Sequence, residues 1–237
     1  MTTNLKNAVI TGSSSGIGFS ISKLLLENDW KVIGISRNIP VELASHPLYS
    51  HIEADLSKPE IINEIVHEIP TSIDLLVNNA GRWDLIKISD ESIAHINEII
   101  DLNLKTPIIL TTLILNRIKD GGTIINISSI LSQVSQEEYG VYSSSKAGLD
   151  RFTVTLAKER KDLKVIGILP SATETEGSHR VYGENEDYDK YISPKKVANI
   201  MYDVVNGKYE SGDLLVINNK NFSYLWQERD KYILVEV

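Results

Sequence analysis

Short runs of valine, isoleucine and leucine alternate with longer segments of helical periodicity along almost the whole chain. Seven of these runs are predicted to be strands, at residues 7–11, 31–36, 51–55, 73–78, 123–128, 164–169 and 213–218. Six helices are predicted at residues 16–28, 59–69, 89–102, 104–119, 139–160 and 194–206. Most of the strand segments are continuously apolar, which is typical of strands covered on both faces. The pattern therefore predicts an α/β fold with a doubly wound parallel sheet flanked by helices.

The length, composition and charge of the chain limit its possible partners. With 237 residues and 42% hydrophobic content, it is expected to form one domain spanning residues 1–237. Because cysteine is absent, disulfides, thiolate metal sites and cysteine nucleophiles are excluded. A net charge of −8 disfavours nucleic acids and anionic membranes as partners. The chain shows no secretion signal pattern, and its longest apolar run, residues 108–115, is too short to span a bilayer, so we expect a cytoplasmic protein.

A glycine-rich turn follows the first predicted strand. Residues 11–18 read T-G-S-S-S-G-I-G, and helical periodicity begins directly after them. Glycines allow the backbone to turn tightly and to approach a pyrophosphate, and the free N–H groups at the helix N-terminus attract the anion. The turn therefore predicts a dinucleotide site, and the alternative is an ordinary Gly/Ser turn between a strand and a helix.

Tyr142 and Lys146 lie four positions apart in a predicted helix, which places a phenol and an ammonium group on one face. A nearby cation favours tyrosinate, so the pair predicts a tyrosine whose pKa is lowered enough for proton transfer to a carbonyl oxygen. The alternative is an amphipathic surface helix in which the pair has no chemical role. Ser129 directly follows a predicted strand, at the carboxyl edge of the sheet where open α/β folds bind ligands.

Together these motifs resemble the short-chain dehydrogenase/reductase family, whose glycine motif is T-G-x-x-x-G-x-G. A second family marker, N-N-A-G, stands at residues 78–81, and Ser129 precedes Tyr142 by the family's spacing of 13 positions. The resemblance implies a Rossmann-like fold that interconverts a carbonyl and a secondary alcohol by hydride transfer. It implies that Tyr142 is the acid–base, that Lys146 lowers its pKa and holds the nicotinamide ribose, and that Ser129 hydrogen-bonds the substrate oxygen. Asn103 would hold a water that links Lys146 to a proton relay, or would simply cap a helix.

The predicted and implied contacts to the cofactor are Gly12, Ser14, Ser15, Gly16, Ile17, Gly18, Ser36, Arg37, Asn38, Asp55, Leu56, Asn79, Ala80, Gly81, Tyr142, Lys146, Pro170, Thr173 and Thr175.

The end of the second predicted strand indicates which dinucleotide binds. A fold that selects NAD places an acidic residue at this strand end, whereas an arginine there accommodates the 2′-phosphate of NADP. Here the position holds Arg37 between Ser36 and Asn38, without a carboxylate. We therefore predict NADP(H) in preference to NAD(H), the alternative being that Arg37 is a solvated surface charge.

The chain departs from the family's pattern after the sixth predicted strand. Ser171 stands where the family usually has glycine, so the backbone there is less free to adopt a positive φ. Residues 173–193 lack clear periodicity and are predicted to form a substrate lid, whose acidic excess favours a neutral carbonyl substrate. Arg82 and Trp83 follow the N-N-A-G marker and could contact substrate or pack at the surface. For the tail at residues 219–237, a subunit interface, the pocket and the sheet edge remain open alternatives.

The five histidines have no metal-ligand spacing, so a metal site is not expected. We therefore expect an NADP(H)-dependent carbonyl reductase or alcohol dehydrogenase with a small-molecule substrate, and by family analogy a homodimer or homotetramer. The competing hypothesis is a non-catalytic dinucleotide-binding regulator or scaffold on the same fold, because a fold alone does not prove chemistry.

Overall fold

The computed structural model describes residues 5–218 and 232–236, and the strands in these residues form one sheet. They are β1 (Asn7–Thr11), β2 (Lys31–Ser36), β3 (Tyr49–Glu53), β4 (Ile73–Asn78), β5 (Ile118–Ile127), β6 (Lys164–Pro170), β7 (Leu214–Asn218) and β8 (Tyr232–Glu236). All neighbouring strands are parallel, in the order β3-β2-β1-β4-β5-β6-β7-β8. The predicted parallel α/β fold is confirmed, and the direction of strand order changes between β1 and β4, where such sheets open a crevice.

Helices cover both faces of the sheet. They are α1 (Gly16–Leu26), α2 (Ile61–Ile65), α3 (Ile93–Ile100), α4 (Thr106–Ile114), α5 (Gly140–Glu159), α6 (Glu176–Tyr182) and α7 (Pro194–Val205). Ile10 of β1 packs in one apolar cluster with Leu25 of α1 and Met201 of α7, whereas Val9 packs in a second cluster with Leu110 of α4. Successive strand residues point to opposite faces, so continuously apolar strands build a core on each side. Within the described residues, none of the helices could serve as a membrane-spanning segment.

The predicted helix at residues 104–119 is wrong at its carboxyl end. α4 ends at Ile114, and after one 3₁₀ turn (Leu115–Arg117) the chain enters β5. Ile118, the first residue of β5, is buried and pairs with Ile73 of β4. Because Ile118 also continues the helical spacing of apolar residues, periodicity could not separate the two states. The predicted helix at residues 59–69 is likewise shorter, with α2 followed by a 3₁₀ turn (Val66–Glu68).

Two segments without a predicted helix or strand, residues 173–193 and the tail at residues 219–237, each contain one in the structure. Within residues 173–193, α6 begins after Thr175, whose hydroxyl accepts a hydrogen bond from the N–H of Ser178 while the Ser178 hydroxyl accepts one from the N–H of Thr175. β8 lies in the predicted tail and pairs with β7, so this part of the tail covers the sheet edge. Residues 219–231 and 237, which belong to the same tail, lie outside the described residues.

A π-helical segment (Asp101–Lys105) joins α3 to α4 in one continuous helical run. The sequence predicted two separate helices meeting at Asn103, and the structure places Asn103 fully buried within the π-helical segment. A π turn is wider than an α turn, and such turns occur frequently at functional sites.

Candidate active site

A cavity of about 950 Å³ opens at the carboxyl edge of the sheet. Most of the residues selected from the sequence line it: Gly12, Ser14, Ser15, Gly16, Ile17, Ser36, Arg37, Asp55, Leu56, Asn79, Ala80, Gly81, Ser129, Tyr142, Lys146, Pro170, Thr173 and Thr175. Three selected residues, Gly18, Asn38 and Asn103, lie outside the lining. The volume is at the upper end of the usual range for ligand pockets, so the cavity has room for a large ligand.

The glycine-rich turn forms the floor of the cavity after β1. Gly12 adopts a φ of +66°, and a Cβ on Gly18 would lie only 2.2 Å from the carbonyl oxygen of Gly12. Gly18 therefore allows α1 to pack directly beneath the turn, which explains its position behind the lining. Ser15 occupies the N-cap position of α1 without a side-chain cap, and the hydroxyls of Ser14 and Ser15 make no hydrogen bond to a described residue. Two uncommitted hydroxyls beside the amino end of a helix fit a pyrophosphate group.

The segment after β4 braces this turn. The hydroxyl of Thr11 accepts hydrogen bonds from the backbone N–H groups of Asn79, at 2.9 Å, and Ala80, at 3.0 Å. The Asn79 carboxamide donates to the carbonyl oxygens of Thr11, at 2.9 Å, and Gly12, at 3.1 Å. The side chain of Asn79 therefore holds the shape of the phosphate turn, although the residue also lines the cavity.

The end of β2 presents a cation to the cavity. Arg37 is exposed, lines the cavity, and makes no salt bridge to a described residue. The hydroxyl of Ser36 donates to the carbonyl oxygen of Asn38 at 3.0 Å, which tightens the turn below Arg37. On the next loop, a hydrogen bond from Ser57 lowers the pKa of Asp55, whose oxygen accepts it at 2.8 Å. The predicted contacts Ser36, Arg37 and Asp55 thus share one end of the cavity.

Ser129, Tyr142 and Lys146 meet at the other end of the cavity. Ser129 follows β5, and its hydroxyl accepts a hydrogen bond from the N–H of Leu131 at 3.2 Å. Tyr142 and Lys146 lie one turn apart on α5, with the Lys146 ammonium 5.8 Å from the centre of the Tyr142 ring. Lys146 is buried, and it donates to the carbonyl oxygen of Ile127 at 2.9 Å. The structure therefore places a phenol, a hydroxyl and an ammonium group around one space.

Burial has the largest effect on the pKa values of Tyr142 and Lys146. It raises the pKa of Tyr142 to about 12, and the hydrogen bond with Ser129 opposes that rise only in part. It lowers the pKa of Lys146 to about 8, with the Asp150 carboxylate opposing. The expected lowering of the tyrosine pKa by Lys146 is thus not seen among the described groups, because desolvation penalises the phenolate more than its neighbours stabilise it.

Asn103 lies behind the cavity wall and does not cap a helix. Its carboxamide accepts from the N–H of Arg82 at 2.9 Å and donates to the carbonyl oxygen of Arg82 at 2.8 Å. It also donates to the Ser145 hydroxyl at 3.2 Å. A Cβ on Gly81 would lie 3.2 Å from Asn103 Oδ1 and 3.3 Å from Lys146 Nζ, so both side chains flank the same glycine. Asn103 therefore fixes the loop after β4 next to Lys146.

The loop after β6 forms the remaining wall. Pro170, Thr173 and Thr175 line the cavity, and Thr175 also caps α6. Among the described residues other than glycine, positive φ angles occur only at Asp29 and Glu138, so Ser171 occupies the position usually held by glycine without adopting one. The reduced freedom of serine to adopt a positive φ therefore has no effect at this position.

Sequence reasoning missed an aromatic group beside Tyr142. Tyr139, Tyr182 and Tyr191 line the cavity together with Trp83, for which substrate contact and surface packing were left open. The position of Tyr139, three residues before Tyr142, is a sequence signal that could have indicated its place near the site. Tyr182 and Tyr191 come from the aperiodic segment, where the sequence carries no such signal.

Comparisons with known proteins agree with this arrangement. A family model described as short chain dehydrogenase matches residues 6–186. Carbonyl reductase family member 4 from Xenopus tropicalis is 30% identical over 231 residues, covering 90% of this chain and 96% of the relative. D-xylose 1-dehydrogenase from Caulobacter vibrioides is 32% identical over 188 residues, which is 75% of each chain. A solved structure of 4-hydroxyisoleucine dehydrogenase complexed with NADH superposes with a TM-score of 0.82 at 24% identity, covering 90% of this chain and 97% of that one, and this likeness bears on the fold alone.

Proposed function

Since this chain belongs to the short-chain dehydrogenase family, we propose that it interconverts an uncharged carbonyl compound and the corresponding secondary alcohol with NADP(H), using Tyr142 as the acid–base. Membership of this family makes the chain an oxidoreductase that uses a nicotinamide dinucleotide. The observation that carries the proposal is the meeting of Ser129, Tyr142 and Lys146 in the cavity that begins at the phosphate turn. A protein that only sensed a dinucleotide would have no chemical need for the phenol and ammonium pair.

Each of the three residues has a separate task in the proposed reaction. Hydride transfer is the chemistry that the nicotinamide supplies when it is bound. In the reductive direction, Tyr142 donates its phenolic proton to the carbonyl oxygen, and the Ser129 hydroxyl donates a hydrogen bond to the same oxygen. Lys146 holds the nicotinamide ribose through its ammonium group. Because burial raises the pKa of Tyr142 to about 12, the phenol is protonated at neutral pH, the state that a general acid requires.

The dinucleotide would lie along the cavity from the phosphate turn to Tyr142. Ser14, Ser15, Gly16 and Ile17 would hold the pyrophosphate at the start of α1. Asp55 and Leu56 would contact the adenine, Ala80 and Gly81 would border the path, and Thr173 and Thr175 would contact the nicotinamide end. Asn103 would hold the water that links Lys146 to a proton relay, which its position across Gly81 from Lys146 supports.

NADP is the proposed dinucleotide because of Arg37. Its guanidinium group lines the cavity without a salt-bridge partner among the described residues, and a guanidinium binds phosphate through paired hydrogen bonds. Asp55 is a carboxylate on the neighbouring loop, but it forms no salt bridge with Arg37, and a hydrogen bond from the Ser57 hydroxyl already occupies one of its oxygens.

We expect Arg37→Ala to weaken NADPH binding by about 10- to 100-fold, which corresponds to the loss of hydrogen bonds to a charged phosphate. NADH has no 2′-phosphate, so its affinity should change by less than about threefold. Fluorescence titration of both dinucleotides measures this. Lys31→Ala is the matched control, because Lys31 is an exposed cation at the opposite end of the same strand. Equal weakening of NADPH and NADH by Arg37→Ala would contradict the proposed preference.

The proposed reaction is tested by NADPH consumption with a panel of neutral ketones, alongside a separate measurement of NADPH binding. We expect turnover of at least one ketone. NADPH binding without turnover of any ketone or reverse turnover of any secondary alcohol would favour the non-catalytic regulator. The expectation of a homodimer or homotetramer in the cytoplasm stays a prediction.

A further inference from the structure

The part of the cavity beyond the reacting groups has an aromatic wall, formed by Trp83, Tyr139, Tyr182 and Tyr191. The ring centres of Trp83 and Tyr139 lie 6.3 Å and 6.1 Å from that of Tyr142. Tyr182 and Tyr191 meet edge to face with centres 6.2 Å apart. Such separations are those at which aromatic rings attract one another, so Trp83 and Tyr139 flank the phenol that would protonate the substrate.

The indole of Trp83 is held in place by α6, the helix within the predicted lid at residues 173–193. It packs on the backbone of α6 at Gly177, where a Cβ would lie 2.5 Å from the indole carbon Cη2. Arg180, also on α6, donates to the carbonyl oxygen of Trp83 at 2.7 Å. A rigid wall keeps its shape when a ligand binds, so little ordering of Trp83 is required.

The tyrosine hydroxyls of this wall are already engaged. The hydroxyls of Tyr139 and Tyr182 hydrogen-bond each other, and the Tyr191 hydroxyl donates to Glu186 at 3.3 Å. The wall therefore offers ring faces and edges to a ligand rather than unpaired hydroxyls. A polyhydroxylated ligand would have to compete with these existing bonds for the tyrosine hydroxyls of the wall, which is unfavourable.

The cations near the wall are neutralised as well. Arg82 donates to Asp84 at 2.8 Å and is also paired with Glu98. Arg180 donates to the other oxygen of Asp84, again at 2.8 Å. An anionic substrate would therefore have to break an existing ion pair to find a partner, and the acidic side chains around the pairs would repel it.

We propose that the substrate is an uncharged aryl ketone or the corresponding aryl carbinol, with its ring against Trp83, Tyr139 and Tyr182 and its reacting carbon at Tyr142. This inference rests on the proposed function and adds the substrate class. Contacts between aromatic rings stabilise a complex beyond the burial of area, by an amount that corresponds to a rate preference of about three- to tenfold over a saturated ring of similar size.

The test compares acetophenone with cyclohexyl methyl ketone, which have the same carbon skeleton and differ in the aromaticity of the ring. With NADPH, we expect kcat/KM to be about three- to tenfold higher for acetophenone. Trp83→Leu should bring the ratio of the two values close to one, whereas Trp83→Phe should preserve most of the preference. The wild-type ratio needs no variant, so the proposal can be judged even if Trp83→Leu does not fold.

Three results would overturn the proposal, and they separate it from the proposed function. Turnover of both ketones with equal kcat/KM would leave the reductase in place and remove the aromatic preference. Faster oxidation of an aldose such as D-xylose than of 1-phenylethanol with NADP⁺ would assign the wall to a sugar. Turnover of no carbonyl compound or alcohol, with NADPH bound, would remove the proposed function and this inference together.

Discussion

Tyr142→Phe is expected to lower kcat/KM for ketone reduction by about 10²- to 10⁴-fold, the usual contribution of a positioned general acid. The substitution removes one oxygen from a ring held between Trp83 and Tyr139, so the shape of the cavity should persist. NADPH affinity should stay within about threefold of the wild type. Steady-state kinetics and fluorescence titration measure the two quantities separately.

Tyr139→Phe provides the matched comparison for this prediction. Tyr139 is also a phenol beside the cavity, but burial and its bond with Tyr182 raise its pKa even further above the ordinary value. Its loss should lower kcat/KM by less than about tenfold, the effect expected when a single hydrogen bond in the wall is lost. If Tyr139→Phe lost more activity than Tyr142→Phe, the acid would have been assigned to the wrong residue.

Lys146→Met is expected to abolish most activity, by at least about 10²-fold, and yet to stabilise the fold at pH 7. Burial lowers the pKa of Lys146 from 10.5 to about 8, so the ammonium group opposes folding at neutral pH. Replacing it with an apolar side chain of similar length should raise the free energy of unfolding by about 1–3 kcal/mol, since the lost bond to Ile127 offsets part of the gain.

The stability gained by Lys146→Met is expected to depend on pH. Between pH 8 and 10.5 the unfolded chain keeps the proton of Lys146 while the folded chain has released it, so the contribution of Lys146 to the stability of the wild type rises with pH. The advantage of Lys146→Met should therefore shrink as pH rises through that interval. Urea unfolding of both proteins at pH 7 and pH 10 measures the two differences. A variant that is less stable than the wild type at pH 7 would contradict the argument.

Much of the fold could be predicted because it depends on local pattern. The predicted strand at residues 73–78 has the bounds of β4, and the continuous apolar runs correctly indicated a sheet covered on both faces. The end of α4 could not be predicted, because Ile118 is drawn into the sheet by pairing with Ile73, more than forty positions earlier. The strand β8 was missed because a short apolar run near residue 232 is equally compatible with several environments.

The candidate site could be predicted where the spacing of a sequence motif corresponds to a chemical role. Sequence spacing brought Ser129, Tyr142 and Lys146 to one place, and the structure also assembles them. The direction of the tyrosine pKa shift was not predictable, since it depends on how far the phenol is buried in the folded protein. The aromatic wall was equally hidden, because Tyr182 approaches Tyr139 only when the aperiodic segment folds back over the cavity.

The π-helical segment lets the local geometry of the site differ without disturbing the packing of the core. Its wider turn accommodates one residue more than an α-helical turn, so α3 and α4 keep their register on either side of it. Deleting one residue between 101 and 105 would therefore restore a regular α turn and leave Leu110 in its apolar cluster. The same deletion would shift Asn103 away from Arg82, to whose backbone it bonds. The extra residue of this short stretch thus serves the catalytic loop, and the core could lose it while the site could not.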